Sequence, residues 1–453
     1  MTESASPAER KLFLTIPPEP ARPTPPGLLN RGQFLDRLGR ELLRTKGCIS
    51  DRYVVLCVDL DRFKVVTASL GRRTGDELLV AIAMRITGLL STRDALARIG
   101  GDEFAILIEE PSSIGSAAQF AERVQKELIS GFNLSGTVVY TTASIGIARV
   151  ASSYQSAEDI LRDAEIAMYN AKSRGRARAE MFHSTMFARA LDLFELETDL
   201  RRAVERNEFE LYYQPIVSST NGRVRAFESL LRWRHPSRGL LTPSSFLELL
   251  KETGLIVPVG EWVIKEACRQ ARIWQEIRLK PVPVTINLAS QQFTHANVVN
   301  TVTEAIEASG VDPLGIVLEL TEDALLEDLD SAKETLAPLR ARGVRIMIDD
   351  FGTGYSSLSY LRRLSVDAIK IDASFVDRIE RFTEDRMIVR AIVALAHALE
   401  LCVVAEGIER KEQLTELVNL ECEEVQGYMI SEPVDAEAAT RMIESRWTAG
   451  FAV

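Results

Sequence analysis

Two adjacent carboxylates end an apolar stretch in the second half of the chain. Ile346–Ile348 has the composition of a buried β-strand, Asp349 and Asp350 follow it, and two glycines come soon after. Successive side chains of a strand point to opposite faces, so both carboxylates can approach one cation only at the end of a strand. A divalent metal ion fits this pattern. The alternative is that Asp350 caps a helix that begins near Ser356 while Asp349 faces water.

Other apolar runs of the second half also end on, or contain, a polar residue. These residues are carboxylates, an amide and an amine: Glu228, Asn287, Glu319, Lys370 and Glu406. Between the runs, apolar residues recur with the 3.6-residue period of a helix, in Glu261–Ile277, Asn297–Ser309, Ser331–Arg342, Asp385–Leu399 and Lys411–Leu420. Alternating strands and helices predict a (β/α) barrel, whose strand C-termini form the reactive face. Helix capping would explain one such glutamate but not the whole set.

The side chains in this set favour one kind of chemistry. Asp, Glu and Asn offer hard oxygen ligands, which suit Mg²⁺ or Mn²⁺ better than zinc. Zinc would require histidine or cysteine, and the four histidines (His183, His235, His295 and His397) show no ligand spacing, so we expect them at the surface or in packing. The Asp pair also allows a two-metal site, which activates water and stabilises the leaving oxygen of a phosphodiester. Lys370 could then orient or deprotonate that water, or neutralise phosphate.

Glu228-Ser229-Leu230 resembles the Glu-Ala-Leu signature of EAL phosphodiesterases, which hydrolyse cyclic di-GMP to linear pGpG. The resemblance runs from about Phe209 to Trp447. It includes, in family order, Tyr213–Ile216, Asn287–Ala289, Glu319–Glu322, Asp349–Ser357, Lys370–Asp372, Ala405–Glu409 and Gln426–Tyr428. It implies a (β/α)8 TIM-like barrel. Ser229 stands where the family has alanine, and we expect little effect from this change.

The same resemblance implies a role for each residue of the site. The metal ligands would be Glu228, Asn287, Glu319 and Asp349, with Asp350 bridging to a second Mg²⁺ or Mn²⁺ ion. Lys370 would position the water, and Glu406 and Gln426 would complete the site. The dinucleotide would contact Gln214, Leu230 and Arg232, and Glu322 would brace the Asp350–Ser357 loop.

The first half of the chain contains a second possible site. Gly100-Gly101 lies between short apolar runs and predicts a hairpin turn, and glycine also lets a phosphate approach the backbone closely. A Gly-Gly pair alone is usually only a turn. Tyr53–Val58 has the composition of a buried strand and is followed by Asp59, so Asp59 could meet Asp102 around a metal ion bound to a nucleoside triphosphate.

This half resembles the GGDEF diguanylate cyclases from roughly Gly27 to Phe182. The matching segments are Leu29–Arg31, Phe34, Asp59–Lys64, Gly75-Asp76, Gly100–Phe104, Ser144–Ala148, Ala167–Lys172 and Gly175-Arg176. The resemblance implies a palm-like α/β domain with a central, mainly antiparallel sheet, and a site for GTP with Mg²⁺. Asp59 and Asp102 would bind the metal, Lys172 and Arg176 the phosphates, and Asp76 the guanine edge. The whole implied GTP site is Asp59, Phe63, Thr67, Asp76, Gly100, Gly101, Asp102, Glu103, Lys172 and Arg176.

Two departures from the GGDEF pattern affect the expected activity. Thr67-Ala68 replaces the family's Asn-Asp, which removes the amide that would read guanine. A missing partner for a base costs roughly tenfold to hundredfold in discrimination, although the Thr67 hydroxyl could recover part of it. The inhibitory Arg-x-x-Asp is here Ser91-Thr92-Arg93-Asp94, which predicts weak or absent product feedback. We therefore expect GTP binding with little or no synthesis.

Composition agrees with a two-domain enzyme. The 453 residues, 46% of them hydrophobic, are enough for two sizeable cores. The net charge, 54 basic against 65 acidic residues or −11, argues against binding of a nucleic-acid polymer, so metals with Arg232 and Lys370 must hold an anionic dinucleotide. No apolar run has the length of a membrane span or the form of a signal peptide. The cysteines (Cys48, Cys57, Cys268, Cys402 and Cys422) form no close pair, so we expect reduced thiols and a cytoplasmic protein.

We expect five segments along the chain. They are a proline-rich, disordered lead at 1–26, a GGDEF domain at 27–182, a linker at 183–207, an EAL domain at 208–447 and a tail at 448–453. In the linker, Phe187, Leu191, Phe194, Leu200 and Val204 lie near helical spacing, which predicts one amphipathic helix. This helix either only packs or also transmits a nucleotide-dependent change.

Three functions are compatible with the sequence. The first is a metal-dependent cyclic di-GMP phosphodiesterase with a GTP-binding, regulatory GGDEF domain. The second is a bifunctional diguanylate cyclase and phosphodiesterase. The third is a non-catalytic cyclic di-GMP receptor, which we rank last because no residue of the implied catalytic set is missing. Both families imply a homodimer.

Overall fold

The computed structural model describes residues 28–46, 53–109, 114–277, 282–293, 297–326, 328–353, 361, 364–445 and 448. The predicted disordered lead, most of the predicted tail, Cys48, His295 and the helix predicted near Ser356 lie outside the described residues. The chain divides into two units, Met1–Phe194 and Glu195–Val453. Within the described residues, no helix has the length and hydropathy needed to cross a membrane.

The first unit is a mixed six-stranded sheet with helices. Its strands are β1 (Leu29–Asn30), β2 (Tyr53–Leu60), β3 (Ala95–Arg98), β4 (Glu103–Glu109), β7 (Ala143–Arg149) and β8 (Ala179–Met181), with a separate hairpin of β5 (Phe132–Leu134) and β6 (Thr137–Val139). Its helices are α1 (Arg31–Lys46), α2 (Phe63–Leu70), α3 (Arg72–Thr87), α4 (Ile114–Ile129) and α5 (Ala157–Ser173). The order is β1-β3-β4-β2-β7-β8, and the three inner pairs are antiparallel whereas the two outer pairs are parallel. The predicted mainly antiparallel sheet is confirmed.

Strand β2 is apolar along almost its whole length because both faces of the sheet are covered. Val54, Leu56 and Val58 belong to the core cluster on one face, and Val55 and Cys57 belong to the cluster on the other. This follows from the alternation of side chains along a strand. Asp59 is the next-to-last residue of this buried central strand, so the core on both faces fixes the position of its carboxylate.

A single helix, α6 (Ser184–Arg206), occupies the segment predicted as a linker. The two units of the chain divide within it. Leu196, Leu200 and Ala203 in its second half are buried, whereas Phe187 and Leu191 in its first half are exposed. The apolar spacing seen in the sequence therefore does not correspond to one continuously buried face.

The second unit is a barrel with surrounding helices. Its strands are β9 (Phe209–Ser218), β10 (Val224–His235), β11 (Gly239–Leu241), β12 (Val284–Asn287), β13 (Ile316–Thr321), β14 (Arg345–Phe351), β15 (Ala368–Ile371), β16 (Cys402–Ala405) and β17 (Glu424–Val425). Its helices are α7 (Leu247–Glu252), α8 (Ile256–Ile277), α9 (Ser290–Phe293), α10 (Val298–Ser309), α11 (Glu322–Leu326), α12 (Leu329–Ala341), α13 (Ala373–Val376), α14 (Thr383–Ala398), α15 (Lys411–Asn419) and α16 (Ala436–Glu444).

Eight of these strands close the barrel in the order β10-β12-β13-β14-β15-β16-β17-β9, and β9 returns to β10. The predicted TIM-like barrel is confirmed, with one difference: β9 runs antiparallel to both of its neighbours. The reason is the short connection between β9 and β10, which includes Gly222 at a φ of 65°. A short hairpin can join only antiparallel strands, since parallel strands need a long crossover.

Candidate active site

Strand register brings the polar residues of the second unit to one end of the barrel. Asn287 pairs with Glu319, and Thr321 pairs with Asp349. On the other side of the barrel, Ala405 pairs with Val425, so the residues that follow them, Glu406 and Gln426, also emerge together. Parallel strands end at the same edge, which is why residues distant in sequence meet here.

Lys370 lies at the centre of this group. Its side chain is 1% exposed. Its Nζ lies 3.0 Å from Glu228 Oε2, 3.3 Å from Glu319 Oε2 and 3.8 Å from Asp349 Oδ1, and it also contacts Glu406 Oε1. A buried ammonium is tolerated only when paired, and here four carboxylates surround it.

Glu228 is held on both of its oxygens by side-chain amides. Asn287 Nδ2 donates to Oε1 at 2.7 Å, and Gln426 Nε2 donates to Oε2 at 2.7 Å. Gln426 Nε2 also lies 2.9 Å from Gln214 Oε1, and the Gln214 amide in turn donates to the Ser431 carbonyl at 3.0 Å. These bonds fix the orientation of Glu228 through strands on both sides of it.

Burial and charge shift the pKa values of the carboxyls in different directions. Burial acts to raise the pKa of Glu228, but the Lys370 charge and the bonds from Gln426, Lys370 and Asn287 outweigh it, so the pKa is lowered. Burial raises the pKa of Glu319 to about 8 and that of Glu406 to about 7. Burial also acts to lower the pKa of Lys370, but the surrounding carboxylates raise it well above its ordinary value. The ammonium therefore stays charged.

Within the described residues, no group of three or more His, Cys, Asp or Glu side chains is arranged to hold a metal ion, and Lys370 lies where the carboxylates converge. Two observations nevertheless fit a divalent cation. Glu319 Oε1 and Asp349 Oδ1 are buried without a hydrogen-bond partner. The donors of the group are oxygens only, the type that Mg²⁺ and Mn²⁺ prefer.

The backbone at Asp350 is unusual. Asp350 has a φ of 54°, and the pairing of β14 with β15 is irregular between Ile348 and Phe351. Left-handed backbone is costly for residues other than glycine and often marks functional sites. The following turn is tied down, because Gly352 N donates to Glu322 Oε2 at 3.1 Å. Glu322 therefore contacts the start of the loop it was predicted to brace, and the loop beyond Thr353 lies outside the described residues.

A cavity of about 600 Å³ adjoins these residues at the mouth of the barrel. Its lining includes Ser229, Leu230, Lys251, Asn287 and Thr321. The Ser229 hydroxyl donates to the Thr285 carbonyl at 2.6 Å, so the added oxygen of the Ala-to-Ser change is satisfied.

Arg232, the third residue predicted to contact a dinucleotide, lies on the same strand β10. Its guanidinium donates to the Leu231 carbonyl at 2.8 Å and lies over the Tyr212 ring, 5.6 Å from its centroid. Burial lowers its pKa, which still leaves an arginine charged. A fixed, partly desolvated cation is thus available at the barrel mouth.

The first unit assembles part of the predicted nucleotide site. Lys172 Nζ on α5 lies 2.6 Å from Asp59 Oδ2, and Asp59 pairs with Glu103 in the β2–β4 register. Burial raises the pKa of both carboxyls, and Asp102 adds to each shift. A Cβ on Gly100 would lie 2.8 Å from Glu103 Oε2, so the glycine leaves room for that carboxylate.

The other predicted residues lie on neighbouring turns and helices of the first unit. Arg176 follows Gly175 at a φ of 60°, and Gly101 accepts a bond from Arg98 Nε at 3.1 Å. Phe63 is buried at the start of α2, and Asp76 on α3 lines an open groove. Phe63 thus packs in the core beside the helix pair that carries Thr67 and Asp76.

Both departures from the family pattern have structural consequences. The Thr67 hydroxyl donates to the carbonyls of Phe63 and Lys64, at 3.3 and 2.9 Å, so its proton is used within α2. Asp94 accepts bonds from the backbone of Ser91 and Glu109, at 2.7 and 3.1 Å. Asp94 thus accepts hydrogen bonds from the backbone around it. The predicted partial recovery of guanine recognition through the Thr67 hydroxyl stays a prediction.

One residue of this unit was missed by the sequence analysis. Asp61 is buried and accepts bonds from Thr142 Oγ1 at 2.7 Å, Ser144 Oγ at 2.8 Å and Ala177 N at 3.1 Å. It therefore ties the loop that carries Arg176 to the central sheet. The available signal was the Asp-x-Asp pattern at the end of β2, whose second carboxylate is close enough to Asp59 to add to the upward shift of its pKa.

Two family profiles match this chain. The profile described as "EAL domain" matches residues 197–433, and the one described as "Diguanylate cyclase, GGDEF domain" matches residues 26–178. The bifunctional diguanylate cyclase/cyclic di-GMP phosphodiesterase MucR of Pseudomonas aeruginosa is 43% identical over 85% of this chain and 56% of that protein. The cyclic di-GMP phosphodiesterase NbdA of the same organism is 37% identical over 92% of this chain and 53% of that protein. The chain spans about half the length of the curated relatives it matches.

Solved structures of EAL proteins are also similar to this chain. The MucR phosphodiesterase in complex with c-di-GMP is 44% identical, with a TM-score of 0.53, and covers 54% of this chain and 99% of that one. The EAL enzyme Bd1971 in its cAMP- and cyclic-di-GMP-bound form is 29% identical, with a TM-score of 0.54, over 77% of this chain and 92% of that one.

Proposed function

We propose, from the premise that this chain belongs to the family of tandem GGDEF–EAL proteins, that its EAL domain is a metal-dependent phosphodiesterase that hydrolyses cyclic di-GMP to linear pGpG. The observation that carries the proposal is the set of hydrogen bonds that Asn287, Lys370 and Gln426 donate to Glu228 at the C-terminal end of the barrel. A receptor that only bound ligand would not need a buried lysine held among four carboxylates.

In this proposal Glu228, Asn287, Glu319 and Asp349 would hold one divalent cation, and Asp350 would help to hold a second. Glu319 Oε1 and Asp349 Oδ1 support this assignment, since both are buried and accept no hydrogen bond, so their lone pairs are available to a cation. A bound divalent ion supplies Lewis-acid stabilisation of phosphodiester charge and promotes ionisation of water. The specific ion, Mg²⁺ or Mn²⁺, is proposed from the oxygen-only donors.

In this proposal Lys370 stabilises negative charge and Glu406 exchanges a proton with water. The Lys370 ammonium stays protonated, so it stabilises negative charge and orients a water by donating hydrogen bonds. Glu406 contacts Lys370 and has a pKa near neutrality, which suits a group that exchanges a proton with water. Gln426 keeps Glu228 oriented and ionised.

The barrel mouth supplies the contacts for the dinucleotide. The cavity beside Leu230 has the volume and the mixed polar and apolar lining suited to a purine base. Arg232 supplies positive charge for a phosphate, and Gln214 a polar contact beside it. Without such local cations, a chain of net charge −11 would repel the dianionic substrate.

Product analysis of the purified protein tests this proposal. Cyclic di-GMP incubated with Mg²⁺ should be converted to pGpG, and Glu228→Ala should abolish conversion while the circular dichroism spectrum is kept. His235→Gln is a suitable control, because His235 is a buried polar residue of the same strand β10 that bonds to Asp199 outside the site. Binding of cyclic di-GMP without any pGpG would support the receptor function instead.

For the GGDEF domain we propose GTP binding with weak or no synthesis of cyclic di-GMP. The Asp59–Lys172 pair and the Gly100–Glu103 turn support binding of a metal-bound triphosphate. Thr67 lacks a free proton to donate to guanine, which weakens base recognition. Cyclisation needs two GTP molecules aligned with each other, so imperfect recognition penalises it twice.

The bifunctional alternative has a specific observation in its favour, because a relative 43% identical to this chain is named as a bifunctional enzyme. The two alternatives are separated by incubating a Glu406→Ala variant with GTP, so that any product persists, and following nucleotides by chromatography. Rapid accumulation of cyclic di-GMP would favour the bifunctional enzyme. GTP binding without accumulation would favour the regulatory domain.

A regulatory role further requires that GTP change phosphodiesterase activity. Helix α6 is the candidate carrier, since its ends belong to different units and Arg162 on α5 stacks on Phe187, 4.9 Å from the ring centroid. Unchanged hydrolysis at saturating GTP would remove this role.

We also propose that the protein acts as a homodimer in the cytoplasm, and light scattering coupled to size exclusion tests the oligomeric state.

A further inference from the structure

The amide of Gln413 links two segments of the barrel. Gln413 on α15 is fully buried. Its Oε1 accepts from the backbone N–H groups of Glu409 and Arg410, at 2.9 and 2.8 Å. Its Nε2 donates to the carbonyls of Val376 and Asp377, at 3.1 and 3.3 Å. The side chain thus uses both its acceptor sites and both its donors, the full capacity of an amide.

Each pair of partners belongs to a segment that carries a residue of the site. Val376 and Asp377 end the short helix α13, which begins just after the strand of Lys370. Glu409 and Arg410 belong to the loop that begins with Glu406. Gln413 therefore joins, outside the site, the two segments that meet inside it as the Lys370–Glu406 contact.

The same two segments are in close contact between these points. Glu406 N donates to the carbonyl of Ile371 at 3.2 Å. Gly407 has a φ of 69°, and a Cβ there would lie 2.6 Å from the Cβ of Ala373. The absence of a side chain at Gly407 thus allows the Glu406 loop to lie close to the start of α13. Because the two segments are in contact, a small shift of either one would move Glu406.

A second link runs beside the first but is more exposed. Arg410 Nε lies 3.1 Å from Glu380 Oε1, and the Arg410 side chain is 31% exposed. Partly exposed ion pairs contribute little because water screens them and the long side chains lose entropy. The buried amide of Gln413 is therefore the stiffer of the two connections.

We propose that Gln413 is a positioning residue for the Lys370–Glu406 pair: it holds the α13 segment and the Glu406 loop at the separation that turnover requires. This inference rests on the proposed phosphodiesterase function. Residues that orient active groups through hydrogen bonds typically change activity about 10- to 100-fold when replaced, since small displacements at the reacting centre are costly. The proposed substrate contacts Gln214, Leu230 and Arg232 lie on β9 and β10, so binding should depend much less on Gln413.

Two substitutions of the full chain test the proposal. Gln413→Glu keeps two acceptor oxygens for the loop but replaces the amide donors, and Gln413→Met keeps the length without any hydrogen bond. Both should lower kcat about 10- to 100-fold at a temperature well below unfolding. The dissociation constant for cyclic di-GMP, measured by calorimetry with Ca²⁺ to suppress turnover, should stay within about threefold of wild type. Gln270→Met, at another buried glutamine, is the matched control and should leave kcat unchanged.

The outcomes separate the two levels of inference. A wild-type protein that does not hydrolyse cyclic di-GMP removes the proposed function itself. An active wild type with Gln413 variants within twofold of it in kcat would overturn the positioning role. Equal losses in binding and in kcat would also overturn it, since they would indicate loosening of the whole barrel mouth. If Gln413→Met fails to fold, Gln413→Glu decides, and failure of both to fold would assign Gln413 a purely structural role.

Discussion

Replacing Glu319 by glutamine should stabilise the metal-free barrel while abolishing its activity. Glu319 is 1% exposed, its Oε1 has no hydrogen-bond partner, and its Oε2 lies 3.3 Å from Lys370 Nζ. Burial raises its pKa from 4.5 to about 8. A carboxylate in this position is therefore costly to ionise unless a cation other than Lys370 is bound.

The sign and size of the effect follow from that shift. The folded protein keeps the proton on Glu319 up to about pH 8, whereas the unfolded chain loses it near 4.5, so stability falls as the pH rises between these values. Each unit of pKa shift corresponds to about 1.4 kcal/mol. Glutamine has no charge to bury, but it also removes one partner of Lys370. We expect Glu319→Gln to be more stable than wild type at pH 8 by on the order of 2 to 4 kcal/mol, and the difference to shrink toward pH 5.

Urea unfolding in EDTA, followed by tryptophan fluorescence, measures this difference. Residues 1–194 contain no tryptophan, and Trp233, Trp262 and Trp274 belong to the second unit, so the signal reports on that unit. Added Mg²⁺ should narrow the difference, because a ligand at 100 times its dissociation constant stabilises the wild type by about 2.7 kcal/mol and the variant loses one of its ligand oxygens. A variant that is less stable than wild type at pH 8 in EDTA, or a difference that does not vary with pH, would refute the reasoning.

Three further predictions concern the metal and the nucleotide site. Hydrolysis should be lost in EDTA and restored by Mg²⁺ or Mn²⁺ but not by Ca²⁺, whose longer bonds and looser geometry activate water poorly; full activity in EDTA, measured as pGpG release, would contradict it. Thr67→Asn should raise the preference for GTP over ATP by about tenfold in calorimetry, because the Thr67 hydroxyl proton is used within α2 whereas an asparagine amide has N–H groups to donate to guanine. An unchanged ratio of the two dissociation constants would show that the base does not lie beside residue 67. Asp61→Asn should weaken GTP binding by about tenfold, because it disturbs the bonds that hold the Arg176 loop, whereas cyclic di-GMP hydrolysis without GTP should not change.

The sequence by itself determined the family, the two fold classes and the set of polar residues at the barrel's reactive end. Both family resemblances are confirmed by the matching profiles, and the mixed sheet and the barrel are confirmed by the structure. These features can be predicted because they depend on short stretches of sequence: apolar strands end on polar residues, and glycines occur at the turns. The assignment of individual metal ligands and of GTP contacts stays a prediction.

Tertiary structure decided how those residues contact one another. Sequence reasoning placed these polar residues at one end of the barrel, but it did not show that the Lys370 ammonium would contact four carboxyl groups or that two amides would hold Glu228. It also did not reveal that Asp61 and Gln413 tie loops together, since each bonds to the backbone of segments far away in sequence. Backbone partners leave no side-chain pattern to detect. Types of residue can be predicted from local spacing, whereas hydrogen-bond partners and pKa shifts depend on burial and on closure of the barrel, which only the folded chain supplies.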